Sequence, residues 1–190
     1  SNSGCTVVKN QANTIMVVSQ PTAQLTASST EICYGSSAFV TVSGSPGAII
    51  GYSINGQMGQ QTLSSNGTAT IQTSGLVNSS VLELTEVANQ GCSVSLNQLM
   101  QISVRNQLAA TVSSVDSAVC EGSLAEFMIS SAQGNSITFV INTSSAQQHT
   151  LTANQELLSF TADSILVFRL IAVTDNVCST SLTDSATVMI

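Results

Sequence analysis

Charge is what this sequence has least of. Asp, Glu, Lys and Arg together make up 7% of its 190 residues, against about 25% in a typical soluble domain. Only three residues are basic, Lys9, Arg105 and Arg169, and the net charge is −7. Binding a polyanion by counterion release needs clustered Lys and Arg, so nucleic acid and anionic membrane surfaces are excluded as partners. No apolar run reaches the 18 or more residues of a membrane-spanning helix. The strongest, Ser164 to Val173, is interrupted by Arg169 and reads as a buried strand, so membrane insertion is not expected. There is no Trp and there are two Tyr, Tyr34 and Tyr52, a poor supply of the planar faces on which sugar-binding modules stack their ligands.

Catalytic groups are as scarce. His149 is the single histidine, in Gln147-Gln148-His149-Thr150, and no carboxylate, thiol or hydroxyl in its vicinity is marked as the partner that acid–base or nucleophilic catalysis requires. It reads as a solvated surface residue. Glu83 and Glu86 differ by an odd offset, which places them on opposite faces of a strand and excludes a carboxylate dyad. No D-x-D or D-x-N-x-D run offers clustered oxygens to calcium, and no cysteine or histidine pair has zinc spacing. The expectation is a protein without enzymatic activity, metal or cofactor. An isopeptide staple would need a buried Lys in each unit; the one Lys, Lys9, lies outside both complete units.

What the sequence does have is a cysteine ladder. Cys5, Cys92 and Cys178 are separated by 87 and 86 residues, and Cys33 and Cys120 by 87. Such regularity marks an array of one repeated unit. Each complete copy holds an early and a late cysteine, Cys33 with Cys92 and Cys120 with Cys178. The expected organisation is residues 1–20 as the final strand of a preceding, truncated repeat, followed by repeats at 21–106 and 107–190. Cys5 is then a late cysteine, unpaired in the fragment, whose early partner would lie upstream of Ser1. In so uncharged a repeat the early–late pairs argue for disulfides Cys33–Cys92 and Cys120–Cys178 and for an oxidising compartment; buried free thiols are the competing reading.

Aligned on their late cysteines, the copies match. Val81-Leu82-Glu83-Leu84-Thr85-Glu86-Val87 corresponds to Val167-Phe168-Arg169-Leu170-Ile171-Ala172-Val173, apolar at alternate positions and then Val five residues before the cysteine. Around the early cysteine, Ile32-Cys33-Tyr34-Gly35-Ser36 parallels Val119-Cys120-Glu121-Gly122-Ser123, with a glycine suited to a turn. Period-2 segments at Gln24–Ala27, Ala38–Ser43, Ile49–Ile54 (ending in Asn55-Gly56) and Thr68–Thr73 have counterparts at Ala109–Ser113, Leu124–Ser130, Ser136–Ile141 and Glu156–Thr161. With the strands before and after the late cysteine, each copy holds about seven. Their spacing predicts an all-β chain of tandem antiparallel β-sandwiches, Ig-like or PKD-like. Phe39, Phe127, Phe139, Phe160 and Phe168 fall within strand patterns and are expected in the cores. Both cysteines of a copy are expected in loops at one end of its sandwich.

The pattern C-x-G-S, alternating strands, Val-x₄-Cys-Ser and a closing strand to Val or Ile resembles the PKD-like/Ig-like repeats of giant Bacteroidota cell-surface adhesins exported by the type 9 secretion system, the gliding-motility adhesins among them. The resemblance implies a bacterial cell-surface or extracellular location and a role as a non-catalytic stalk segment projecting a distal binding region. It also implies candidate O-glycosylation at Ser117, Ser164 and Ser185, each the Ser of an Asp-Ser-aliphatic triplet; Asp-Ser is equally ordinary turn chemistry. The implied partners are neighbouring repeats of the same chain, with other cell-surface proteins or extracellular glycans beyond them. Two alternatives stay open: a glycan- or surface-binding module, and a self-assembling fibre subunit in which the strand Cys5 to Val17 completes another chain's sheet by strand addition.

Overall fold

The computed structural model describes residues 17–27 and 31–190. They form sixteen strands and, among the described residues, no helix. The chain divides into two compact units. Of the described residues, the first gathers 17–27, Phe39–Thr73 and Ser80–Ile102; the second gathers Glu31–Ala38, Ser74–Ser79 and Ser103–Ile190. The units therefore do not follow a single cut in the sequence, because two internal segments of the first repeat and its last residues, 103–106, belong with the second unit.

The first-repeat strands are β1 (Ala23–Ala27), β2 (Glu31–Ile32), β3 (Phe39–Gly44), β4 (Ile49–Ile54), β5 (Gln57–Thr62), β6 (Thr68–Gln72), β7 (Ser80–Asn89) and β8 (Cys92–Val104). In the first unit, β1, β3 and β6 form one antiparallel sheet in that order, and β8, β7, β4 and β5 another. Alternation sends Val40, Val42, Ile50, Ile71, Leu82 and Leu84 to full or near-full burial, which is what a two-layer sandwich requires of its inner faces. At Asn55-Gly56 both residues have positive φ, and the two-residue turn sets β5 against β4 in register from Ile54↔Gln57 to Ile49↔Thr62. β5 has no sequence periodicity, since nearly all its residues are exposed.

The second-repeat strands are β9 (Ala110–Ser114), β10 (Leu124–Ser131), β11 (Ser136–Ile141), β12 (Gln147–Thr150), β13 (Gln155–Thr161), β14 (Leu166–Thr174), β15 (Ser179–Ser181) and β16 (Ser185–Val188). Sheet β13-β10-β9 faces sheet β12-β11-β14, and both β15 and β16 close against β14. The core centres on Phe127, Phe139, Phe160 and Phe168, with Phe139 and Phe168 stacked at 4.6 Å between centroids and Phe127 at 5.2 Å from Phe168.

Two expectations from strand alternation need correction. Phe39 is 51% exposed rather than buried: its neighbours Val40 and Val42 take the inner face, and the corresponding residue of the second copy is Glu126. Glu83 and Glu86 do not lie on opposite faces. The pairing of β7 with β4 and β8 shifts register between Leu84 and Glu86, a β-bulge that adds one residue. Leu82, Leu84 and Val87 are then all buried, and both glutamates leave that face. β14 carries the same irregularity, with Phe168, Leu170 and Val173 buried and Ile171 exposed.

Candidate functional site: a disulfide joining the two sequence repeats

The early cysteine sits on a fixed turn. Cys33 follows β2, and its carbonyl accepts from Ser36 N at 3.0 Å while Gly35, at φ +75°, donates to Leu76 O. Leu76 N returns a bond to Ser36 O, so the turn is tied at both sides. β2 pairs in parallel with the end of β8, Glu31 opposite Ser103 and Ile32 opposite Val104. Arg105 N then donates to Ile32 O. The late cysteine of the second copy, Cys178, is 7% exposed and ends the loop from β14 to β15.

The structure bonds Cys33 to Cys178, with Cα atoms 5.6 Å apart and a sequence separation of 145. This replaces the expected pairs. Cys92 and Cys120 are free thiols, and the reason is the length of the closing strands. Cys178 lies beyond the Thr174↔Ser179 end of β14, whereas Cys120 follows Ala118, which bridges Met189 beyond the Leu166↔Val188 end. The nine residues of β14 make eight steps of about 3.4 Å, which put those ends roughly 27 Å apart. A disulfide tolerates a Cα separation of only about 7 Å. Along β8 the relation recurs: its thirteen residues begin at Cys92, and its far end pairs with Ile32, next to Cys33. The early and late cysteines of one copy thus mark opposite ends of a closing strand.

Charges cluster beside the bond. Arg105 Nη2 lies 3.3 Å from Asp175 Oδ2 and its Nη1 3.8 Å from Glu31 Oε2. Asp175 Oδ1 also accepts from Val177 N at 2.7 Å and from Cys178 N. Those two backbone donors, Cys178 first, and then the Arg105 charge hold the Asp175 carboxyl below the usual carboxylate range. Asp175 therefore orders the very loop that presents Cys178. Neither it nor Arg105 was singled out for this role by the sequence, since the signal is a contact between residues 70 apart.

A second polar device fastens sheet to sheet in both copies. Gln98, in β8, accepts from Leu25 N at 3.0 Å and donates to Ala23 O at 2.9 Å. At the corresponding position Asp184 accepts from Val112 N at 2.9 Å. Asn55 and Asn142, both with positive φ, likewise take equivalent places. Their side-chain oxygens accept from Val81 N and Val167 N at 3.0 and 2.7 Å. The Asn142 amide also donates to Ile165 O.

His149 is not simply solvated. It lies in β12, and its Nε2 is 2.9 Å from Glu156 Oε1. Glu156 Oε2 accepts from Thr152 N and Thr152 Oγ1. The Thr152 backbone bond first and His149 second lower the Glu156 carboxyl below its ordinary value. This carboxylate caps the β12–β13 loop, and the imidazole braces it. Tyr34 is 45% exposed, while Tyr52 lies across the backbone of Gly59, its cross-strand partner. Ser117, Ser164 and Ser185 are all exposed. Asp184, preceding Ser185, uses its carboxylate on Val112 N and Ser185 N. Cys5 and most of the strand Cys5 to Val17 lie outside the described residues.

No family model matches the chain, and no curated protein matches it. Solved structures do share its fold. One is a Ca²⁺-stabilised adhesin that helps an Antarctic bacterium reach out and bind ice, 15% identical over 90% of this chain and 48% of that one, with a TM-score of 0.57. Another concerns host-cell-surface retention of a 1.5-MDa bacterial ice-binding adhesin, 16% identical over 89% of this chain and 62% of that one, with a TM-score of 0.52. This chain thus spans less than two thirds of either, and at such identities the likeness is one of fold.

Proposed function

We propose that this chain is a non-catalytic stalk segment of a long, repetitive adhesin at a bacterial cell surface, of the kind whose repeats resemble those of Bacteroidota adhesins exported by the type 9 secretion system. In this reading the repeats at 21–106 and 107–190 are serial modules that project a distal binding region, and adhesion or gliding is the work of the whole protein. The observation that carries it is the Cys33–Cys178 bond. A disulfide of this span belongs in an oxidising, extracellular setting, and it couples one sequence repeat covalently to the next. A surface of neutral polar side chains that still carries a net charge of −7 suits a polymer that must not adhere to its own copies, because like net charges repel. Exposed Ser117, Ser164 and Ser185 would carry the O-glycans that complete such a surface; intact mass of the protein from its native source tests them.

Stretching single molecules between their termini tests the mechanical reading. The bond encloses 145 residues, each worth about 3.5 Å of contour. Full unfolding should therefore lengthen the oxidised chain by about 500 Å less than the reduced one. Equal lengthening in the two states would sink the role of the bond as a series coupler. Saturable binding of a glycan by this segment would instead favour a binding module.

A further inference from the structure

Two described cysteines remain thiols, Cys92 partly buried and Cys120 exposed, and each is the repeat counterpart of a bonded one. Cys120 sits on the same turn as Cys33. Its carbonyl accepts from Ser123 N at 3.0 Å, Gly122 at φ +77° donates to Ala162 O, and Ala162 N donates to Ser123 O. Every one of these bonds has its equivalent at Cys33, Gly35, Ser36 and Leu76. Cys92 opens its closing strand after the Gln90-Gly91 hairpin, where Cys178 precedes β15. The bonded pair joins an early cysteine to the late cysteine one repeat further along.

We propose that Cys120 and Cys92 are the two open halves of that same crosslink. Cys120 bonds the late cysteine of another repeat unit of this type, and Cys92 bonds the early cysteine of one. In two copies of this chain set head to tail, Cys120 of one copy would bond Cys92 of the other. The flanking residues agree. Where Glu31 and Asp175 flank the existing bond, Ala118 and Asn89 occupy the corresponding positions beside Cys120 and Cys92. At these two positions the charged pair is exchanged for a neutral one, so neither calls for a counterpart of Arg105, and the carboxylate that follows Cys120, Glu121, is exposed to solvent.

The step is an oxidation of two thiols with loss of two electrons and two protons. A low-molecular-weight disulfide can take them. One protein thiolate attacks it, releasing one small thiol and forming a mixed disulfide. The second protein thiolate then attacks the protein sulfur and releases the other small thiol. Repeated along an array, these bonds enclose overlapping loops of sequence, so the covalent path would bypass most of the folded chain and limit its extension. The inference rests on the stalk reading only in taking units to follow one another in series.

The test uses the full chain carrying Cys5→Ser, which removes the cysteine outside the described residues. The reduced protein is concentrated and oxidised with a low-molecular-weight disulfide, then mapped by non-reducing peptide mass spectrometry. The expected product is a ladder of covalent oligomers whose crosslinked peptides pair Cys120 with Cys92, in excess of the share that random pairing gives. Cys33–Cys178 should stay within each molecule, and Cys120→Ser should abolish the ladder. Homotypic Cys92–Cys92 and Cys120–Cys120 links in random proportion would overturn the proposal. So would an intramolecular Cys92–Cys120 bond, or monomers with both thiols intact. None of these outcomes touches the 500 Å difference expected on stretching, so the two readings fail separately.

Discussion

From its late cysteine the first copy runs as one strand, β8, of thirteen residues, whereas the second breaks at Leu182 into β15 and β16. Both nevertheless place a hydrogen-bonding side chain six residues past the cysteine and aim it at the first strand of the opposing sheet. Gln98 does this with an amide that donates and accepts. Asp184 does it with a carboxylate that only accepts, at the point where the strand is interrupted. The fold thus conserves the position of the clamp and lets its chemistry vary. The cores differ in the same way: Phe127, Phe160 and Phe168 of the second copy are replaced by Val40, Thr73 and Leu82 in the first. The two late hairpins diverge most. Gln90 and Gly91 turn with positive φ, while the loop at Cys178 is built by Asp175 as a side-chain cap, the arrangement that accompanies a bonded cysteine.

The largest expected effect comes from removing the bond that only the second late cysteine makes. Cys33→Ser with Cys178→Ser should cost about 5 kcal/mol in the chain-entropy model, read as a fall in thermal midpoint that reductant reproduces in the wild type. Unchanged stability would place the bond outside the cooperative core. Core truncations come next. Phe168→Ala should cost about 3–5 kcal/mol and Leu82→Ala, its counterpart, about 2–5, and hydrogen exchange should localise each loss to its own unit. If either mutation deprotects both units equally, the division into separate cores is wrong.

The clamps separate the copies on a smaller scale. Asp184→Ala removes one charged acceptor from Val112 N–H and should cost about 2 kcal/mol. Gln98→Ala removes two neutral bonds, to Leu25 N and Ala23 O, of about 1 kcal/mol each and so reaches a similar total through two partners. Asp184→Asn should recover part of the loss. The smallest effect is the pH response of the Cys178 loop. The Asp175 carboxyl is held below its ordinary value by Cys178 N, Val177 N and Arg105. Its contribution is present above the usual Asp value near about 4 and is lost as pH falls through the depressed folded value. Asp175→Asn should therefore lower the thermal midpoint at neutral pH, with the difference from wild type closing in acid. A gap that widens in acid would contradict this.

Much of the fold could be read from the chain because its signals are local. Alternation, the Asn-Gly turn and C-x-G-S located most strands. The edge strands β5 and β12 were harder to see, since an edge exposed on both sides imposes no period. Val87 standing three residues after Leu84 was a visible trace of the β7 bulge, yet its consequence for Glu83 and Glu86 needed the pairing partner. Phe39 misled because a hydrophobic residue in a strand has two faces open to it and composition does not choose between them.

The sequence by itself determined the repeat, the strand period and the turn residues, since each depends on residues a few positions apart. It also determined that the cysteines fall into early and late classes. Only the tertiary structure decided which early cysteine meets which late one. That choice depends on where a closing strand ends in space, and a strand long enough to close a sandwich carries its two cysteines to opposite ends.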